Sequence, residues 1–133
     1  MARAAALADI LIGSDAEFAA VGLVPEVASQ GGPELIVLKH GPDGVSLLTR
    51  GQREDLPGIE IEVLCGIGAG DALTAAFVAG LLREVTFRAA LERGNAAGAI
   101  VASRLMCSTA MPTTSEIDRF VRDRATHSRA TIR

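Results

Sequence analysis

The run Cys65-Gly66-Ile67-Gly68-Ala69-Gly70-Asp71-Ala72 places three glycines and one carboxylate in a turn between a strand-like segment and a long apolar helical stretch. Glycines let backbone N–H groups come close to an anion, and the open N–H groups and partial positive charge at the start of the following helix add to the attraction. Such a turn suits phosphate, with Gly68, Ala69 and Gly70 as the amide donors and Asp71 where a carboxylate can accept a proton. Structure alone accounts for the spacing equally well, because Gly-rich turns before helices are common and an Asp at a helix start is ordinarily a cap. The run matches neither the GxxxxGK(S/T) phosphate loop nor the GxGxxG dinucleotide fingerprint, so neither of those mechanisms is supported.

The elements that must hold this turn alternate between short β-like and helix-like runs, which predicts a layered α/β sheet. A strand over 9–12 leads into a helix over 15–21, and Pro25 opens a short second helix. Residues 34–39 form a continuous apolar run of buried-strand length, ending in the turn His40-Gly41-Pro42-Asp43-Gly44, and 45–49 returns as its hairpin partner. Ile59, Ile61 and Val63 alternate with Glu60 and Glu62, which predicts a half-buried strand delivering the chain into the glycine turn. Helices are expected over 70–82 and 86–105. A last one follows Pro112, where Thr113 and Glu116 have capping-box spacing and Ile117, Phe120 and Val121 make an apolar stripe.

With 133 residues, 49% of them apolar and 3% aromatic, the chain can build one aliphatic core. Thirteen basic against sixteen acidic residues give a net charge of −3, which offers no footprint for nucleic acid or an anionic membrane. No uncharged run is long enough to span a bilayer, and Asp9 interrupts the N-terminal apolar stretch, so a cytoplasmic setting is expected. Cys65 and Cys107 read as reduced core residues, Met106 and Met111 as packing, His40 as a surface turn residue and His127 as part of the tail. Residues 1–125 are expected to form one portion and 126–133, with Arg129 and Arg133, a disordered tail.

Gly68-Ala69-Gly70-Asp71 followed by Ala72-Leu73-Thr74-Ala75-Ala76-Phe77 resembles the C-terminal signature of the ribokinase-like (PfkB) carbohydrate kinases. The segment 8–17 is similar to the strand that in this family ends at an Asn-x-x-Glu motif, with Glu17 matching and Ser14 in place of the Asn. The resemblance implies that Glu17 helps organise Mg²⁺ and phosphates, that Lys39, Gly41 and Gly44 line the nucleotide site, and that a turn near Asn95 covers the adenine. It implies the C-terminal part of a three-layer α/β/α sheet, ATP and Mg²⁺ as cofactors, and transfer of the ATP γ-phosphate to a sugar or sugar-acid hydroxyl. Asp71 would be the base and the 68–70 amides the anion hole. The wording of 94–105 and 107–113 is similar to the branch of the family that phosphorylates 5-dehydro-2-deoxygluconate in inositol breakdown.

The chain departs from the family in two ways. Cys65 and Gly66 stand where many members have Asp-Thr, whose Asp helps bind an activating monovalent cation, so potassium activation is not implied, although carbonyls over 102–109 could still form a cation loop. Members of the family are more than twice as long, and the part that orients the sugar is N-terminal. Orientation can supply roughly 7–11 kcal/mol of barrier lowering, so the chain by itself should be a poor kinase. A sheet edge freed of its neighbours would favour a homo-oligomer or pairing with that missing half. Three readings of different class stay open: kinase portion, non-catalytic nucleotide-binding module, and inactive remnant.

Overall fold

The computed structural model describes residues 2–5, 7–83 and 85–130, without the side chains of residues 2, 3, 27, 29, 30 and 126–130. Contacts divide the chain, expected to form one portion, into two compact units, Met1–Gly58 and Ile59–Arg133.

The first unit holds a mixed four-stranded sheet in the order β1 (Ile10–Ser14), β2 (Leu35–Lys39), β3 (Gly44–Thr49), β4 (Gln52–Pro57), preceded by the short helix α1 (Ala2–Ala5). β1 and β2 run parallel, which requires a crossover, and helices α2 (Asp15–Ala20) and α3 (Pro25–Gly31) supply it. β2, β3 and β4 pair antiparallel through short turns. Leu35, Ile36, Val37 and Leu38 are all buried, as the uninterrupted apolar run requires. Ile36, Leu38 and Leu48 share one face and pack with Phe18 of α2, flanked by Leu11, Leu23 and Ala28.

β4 is a strand that apolar patterning does not reveal. Gln52 to Asp55 are polar, and Leu56 alone is buried, because β4 is an edge strand whose charges discourage further pairing. The alternation at 59–63 predicts a strand, and this is corrected: the segment is irregular, with Val63 61% exposed. An alternating pattern becomes a strand only when a neighbour supplies ladder hydrogen bonds, and every strand pairing among the described residues lies within 10–57. Its continuation is tied down by the Ala102 carbonyl, which accepts from Leu64 N (2.8 Å) and Cys65 N (3.1 Å).

The second unit is helical: α4 (Ala69–Leu81), α5 (Phe87–Ala102) and α6 (Thr114–Ala130). α4 and α5 pack through small residues, with Ala72, Ala76, Ala96 and Ala97 sharing a core with Ile100, Val101, Ala110 and Ile117, against which Phe120 and Val121 also pack. The approach is tight enough that a Cβ on Gly94 would lie 3.0 Å from the Leu73 carbonyl oxygen. α5 begins at Thr86, whose hydroxyl accepts from Ala89 N, and ends at 102, three residues before the expected end. α6 continues to Ala130, past the boundary expected at 125, and residues 131–133 lie outside those described. Cys107 is exposed and Cys65 partly so, which corrects the reading of both as core residues. Among the described residues no helix is long and apolar enough to cross a membrane.

The start of α6 gives a stability prediction. Glu116 accepts from Thr113 N (2.7 Å) and Thr113 Oγ1 (2.8 Å), Thr113 Oγ1 accepts from Glu116 N (3.3 Å), and Arg104 Nη2 adds a bond at 2.6 Å. The Thr113 backbone bond first, then Arg104 and the Thr113 hydroxyl, pull the Glu116 carboxyl from 4.5 down to about 2. A carboxyl with a depressed folded value stabilises the fold fully above its unfolded value and progressively loses that contribution as pH falls through the folded one. The urea midpoint of the wild-type chain should therefore drop between about pH 4.5 and about pH 2 more steeply than that of Glu116→Gln. Parallel slopes in urea titrations of the two proteins would sink this account of the cap.

Candidate functional site

In the first unit Ser14 and Glu17 form a reciprocal pair at the start of α2. Ser14 N donates to Glu17 Oε2 (2.7 Å), and Glu17 N donates to Ser14 Oγ (3.3 Å). This is a capping box, in which Ser14 serves where the family motif has Asn. Lys39 Nζ, at the end of β2, lies 3.3 Å from the same Glu17 oxygen. The Ser14 backbone bond chiefly, with the Ser14 hydroxyl and Lys39, holds the Glu17 carboxyl below its ordinary range, so it is a fixed negative charge. Beside it a cavity of about 530 Å³ is lined by Ser14, Asp15, Lys39, His40, Gly41 and Arg53, among others. Lys39 and Arg53 are cations suited to phosphate oxygens.

The turn after β2 is a 3-10 turn, Gly41–Asp43, closed by Gly44 at φ 115°. A Cβ at Gly44 would lie 2.1 Å from the Leu56 carbonyl oxygen, so this glycine is required by β4 as well as by the turn. His40 is not a solitary surface histidine. Its Nε2 lies 2.7 Å from Ser46 Oγ in β3 and its Nδ1 3.2 Å from Asp15 Oδ2. Ser46 is 1% exposed, and its hydroxyl also bonds Asp55 and Arg53. His40 follows Ile36 and Leu38 at the two-residue strand period, on the side that faces Ser46 and Leu48 of β3.

In the second unit Gly68 caps α4 at φ 83°, in the left-handed region, and a Cβ there would meet Cys107 Sγ at 2.8 Å. The first helical bond is Ala72 N to Gly68 O, so the N–H groups of Gly70 and Asp71 precede the helical ladder. Asp71 is exposed at the third helical position, and no hydrogen bond or ion pair engages its carboxylate among the described residues. A capping role would have shown a capping bond. Asn95 lies inside α5, half-buried, and no turn exists there. The small residues 94–98 that suggested a turn are the packing face toward α4.

Glu17, Lys39, Gly41 and Gly44 are thus gathered in the first unit, and Gly68, Ala69, Gly70, Asp71 and Asn95 in the second. Among the described residues no three His, Cys, Asp or Glu side chains converge on a metal position. Glu17 Oε2 is engaged by Ser14 N and Lys39 Nζ, so its expected part toward Mg²⁺ would be indirect, through the Lys39 and Ser14 positions it fixes. Both lone pairs of the Ala102 carbonyl are engaged by Leu64 and Cys65, so it is not open to a monovalent cation.

A mixed α/β sheet with a polar cavity at the carboxyl end of β2, together with a glycine turn opening a helix, defines a ribokinase-like α/β protein. The profile of the pfkB family carbohydrate kinases matches residues 1–114, and the chain belongs to that family. It is similar to the 5-dehydro-2-deoxygluconokinase of Bacillus thuringiensis (strain Al Hakam), 39% identical over 89 residues that cover 66% of this chain and 27% of that protein. Among solved structures it is similar to a ribokinase from Thermotoga maritima, with 25% identity, a TM-score of 0.78, and coverage of 86% of this chain and 42% of that one. A second is aminoimidazole riboside kinase from Salmonella enterica complexed with aminoimidazole riboside and an ATP analog, with 25% identity, a TM-score of 0.80, and coverage of 90% and 44%. The chain spans about a quarter of the length of the curated relatives it matches.

Proposed function

We propose that this chain is the nucleotide-binding part of an ATP-dependent carbohydrate kinase that phosphorylates a sugar or sugar-acid hydroxyl. The likeness to kinases named for 5-dehydro-2-deoxygluconate favours that sugar acid, and hence a role in inositol catabolism, as the acceptor. The observation that carries the reading is Asp71, whose carboxylate has no hydrogen-bond or ion-pair partner among the described residues, at a helix start where the Gly70 and Asp71 N–H groups precede the helical ladder. ATP supplies the phosphoryl group, and Mg²⁺ supplies charge neutralisation on its phosphates. Lys39 and the Gly41–Gly44 turn hold the nucleotide, and Glu17 fixes the metal's position indirectly. Of the Gly68, Ala69 and Gly70 amides expected to stabilise the charge that develops on the transferred group, Ala69 N already donates to Gly66 O (3.2 Å), so the role falls chiefly to Gly68 and Gly70, while Asp71 accepts the acceptor hydroxyl's proton late in a loose transition state. Cys65 and Gly66 place no carboxylate for potassium, so this carboxylate route to potassium activation is not available.

The alternative with an observation behind it is a non-catalytic nucleotide-binding module, because the Ser14–Glu17 capping box accounts for Glu17 without any metal. The unpaired outer edge of β1 favours a homo-oligomer or pairing with an N-terminal half that would carry the sugar. A cytoplasmic setting without membrane or nucleic-acid partners goes with either reading. Calorimetric titration of the folded chain with MgATP should give saturable binding. A chain with native circular dichroism that binds none would leave the kinase likeness as ancestry only.

A further inference from the structure

We propose that His40 is a positioning residue for the anionic ligand of the first unit, holding the Gly41–Asp43 turn and the start of α2 in register through the buried hydroxyl of Ser46. The proposal rests on the nucleotide reading above.

Ser46 Oγ has one proton and two lone pairs. It gives the proton to Asp55 and accepts from Arg53 Nη2 at 3.0 Å, which leaves one lone pair for the His40 Nε2 contact at 2.7 Å. His40 is therefore the Nε2–H donor, and the hydroxyl is saturated. This excludes a hydrolase-like reading of Asp15, His40 and Ser46, because a nucleophilic serine must lend its proton to the imidazole and must be reachable, and Ser46 is 1% exposed. What the ring does is mechanical. Its far nitrogen lies 3.2 Å from Oδ2 of Asp15, the first residue of α2, a contact that becomes a hydrogen bond in the imidazolium form, where both ring nitrogens carry N–H, and its backbone begins the 3-10 turn, so one imidazolium joins two walls of the cavity to the sheet. Arg53 extends the same network to Glu26 of α3 at 3.1 Å. Without the ring, Ser46 keeps an unfilled lone pair and the two walls lose their shared anchor.

The test is MgATP calorimetry on the full chain carrying His40→Ala, His40→Gln, Ser46→Ala, or His40→Ala with Ser46→Ala, each accompanied by a thermal melt. His40→Ala should weaken MgATP binding about tenfold and Ser46→Ala, which also removes the Asp55 and Arg53 bonds, at least as much, with the double variant no weaker than Ser46→Ala alone, because the His40–Ser46 contact is lost in both. His40→Gln, whose side-chain amide can donate to Ser46, should recover most of the loss. His40 is part-exposed, so its variants are the ones expected to fold even where Ser46→Ala does not. Wild-type affinity in His40→Ala would overturn the proposal alone, as would a loss that follows the melting temperature and is not relieved in His40→Gln. A folded wild-type chain that binds no MgATP would defeat the nucleotide reading and this one with it.

Discussion

Replacing Asp71 with Asn, in a form of the protein that turns over, is expected to lower phosphoryl transfer by about 10²–10⁴-fold while leaving MgATP affinity unchanged, since a positioned general base contributes on that order. Asn keeps the shape and polarity of the side chain and removes only its capacity to take a proton. The structural cost should be small. Asp71 is exposed and makes no capping bond, so the helix loses only the favourable charge–dipole term, about 0.3–1 kcal/mol at an exposed helix start. A large fall in turnover with a nearly unchanged melting curve therefore separates catalysis from capping. Retained turnover would reduce Asp71 to a favourable charge at a helix start. The partner measurement is MgATP calorimetry on the same variant, because a fall in both quantities would mean that the charge orders the nucleotide and not the proton. A carboxylate among amide donors is a weak base, yet a loose transition state asks for proton acceptance only late, so its position outweighs its basicity.

What could be read from the sequence followed from how local each signal is. The 34–39 run announces β2 because a buried strand needs nothing but apolar side chains, and the Thr113–Glu116 spacing announces α6 because a capping box is complete within four residues. The same spacing, Ser14 to Glu17, was equally visible, yet its reading as part of a metal motif hid the capping box that the structure forms. β4 is not legible because an edge strand is specified by its neighbour β3 and not by its own pattern, and 59–63 has a strand's pattern while no partner for it exists among the described residues. The sequence around Asn95 suggests a turn because glycine and alanine serve both turns and close helix contacts, and only the approach of α4 decides between them. Of the candidate site, the glycine turn and Asp71 were legible residue by residue. The His40 network was not, because Asp15, Ser46 and Asp55 meet it from three elements up to 25 residues away in sequence.

Gly44→Ala is expected to cost on the order of 3 kcal/mol of stability in urea unfolding, whereas Gly41→Ala should cost only about 1 kcal/mol. Both glycines have positive φ, 60° at Gly41 and 115° at Gly44, so both substitutions pay backbone strain. They differ in what surrounds them. A Cβ at Gly41 meets nothing within 4 Å, while one at Gly44 would lie 2.1 Å from the Leu56 carbonyl oxygen and 2.6 Å from Gly58 N, atoms of a backbone held in the β3–β4 ladder. Neither of those atoms can step aside without breaking the pairing of Gly44 with Pro57 and Val45 with Leu56. Against a total of roughly 5–15 kcal/mol for a typical domain, the loss at Gly44 should be visible as a large shift in urea midpoint. The contrast divides the two ends of the turn by role. Gly41 lines the cavity and is replaceable for folding, so MgATP binding by a folded Gly41→Ala chain reports directly on whether this backbone approaches phosphate. Equal stability losses at the two positions would mean that β4 yields to the new methyl group, and the requirement for glycine at 44 would then belong to the ligand.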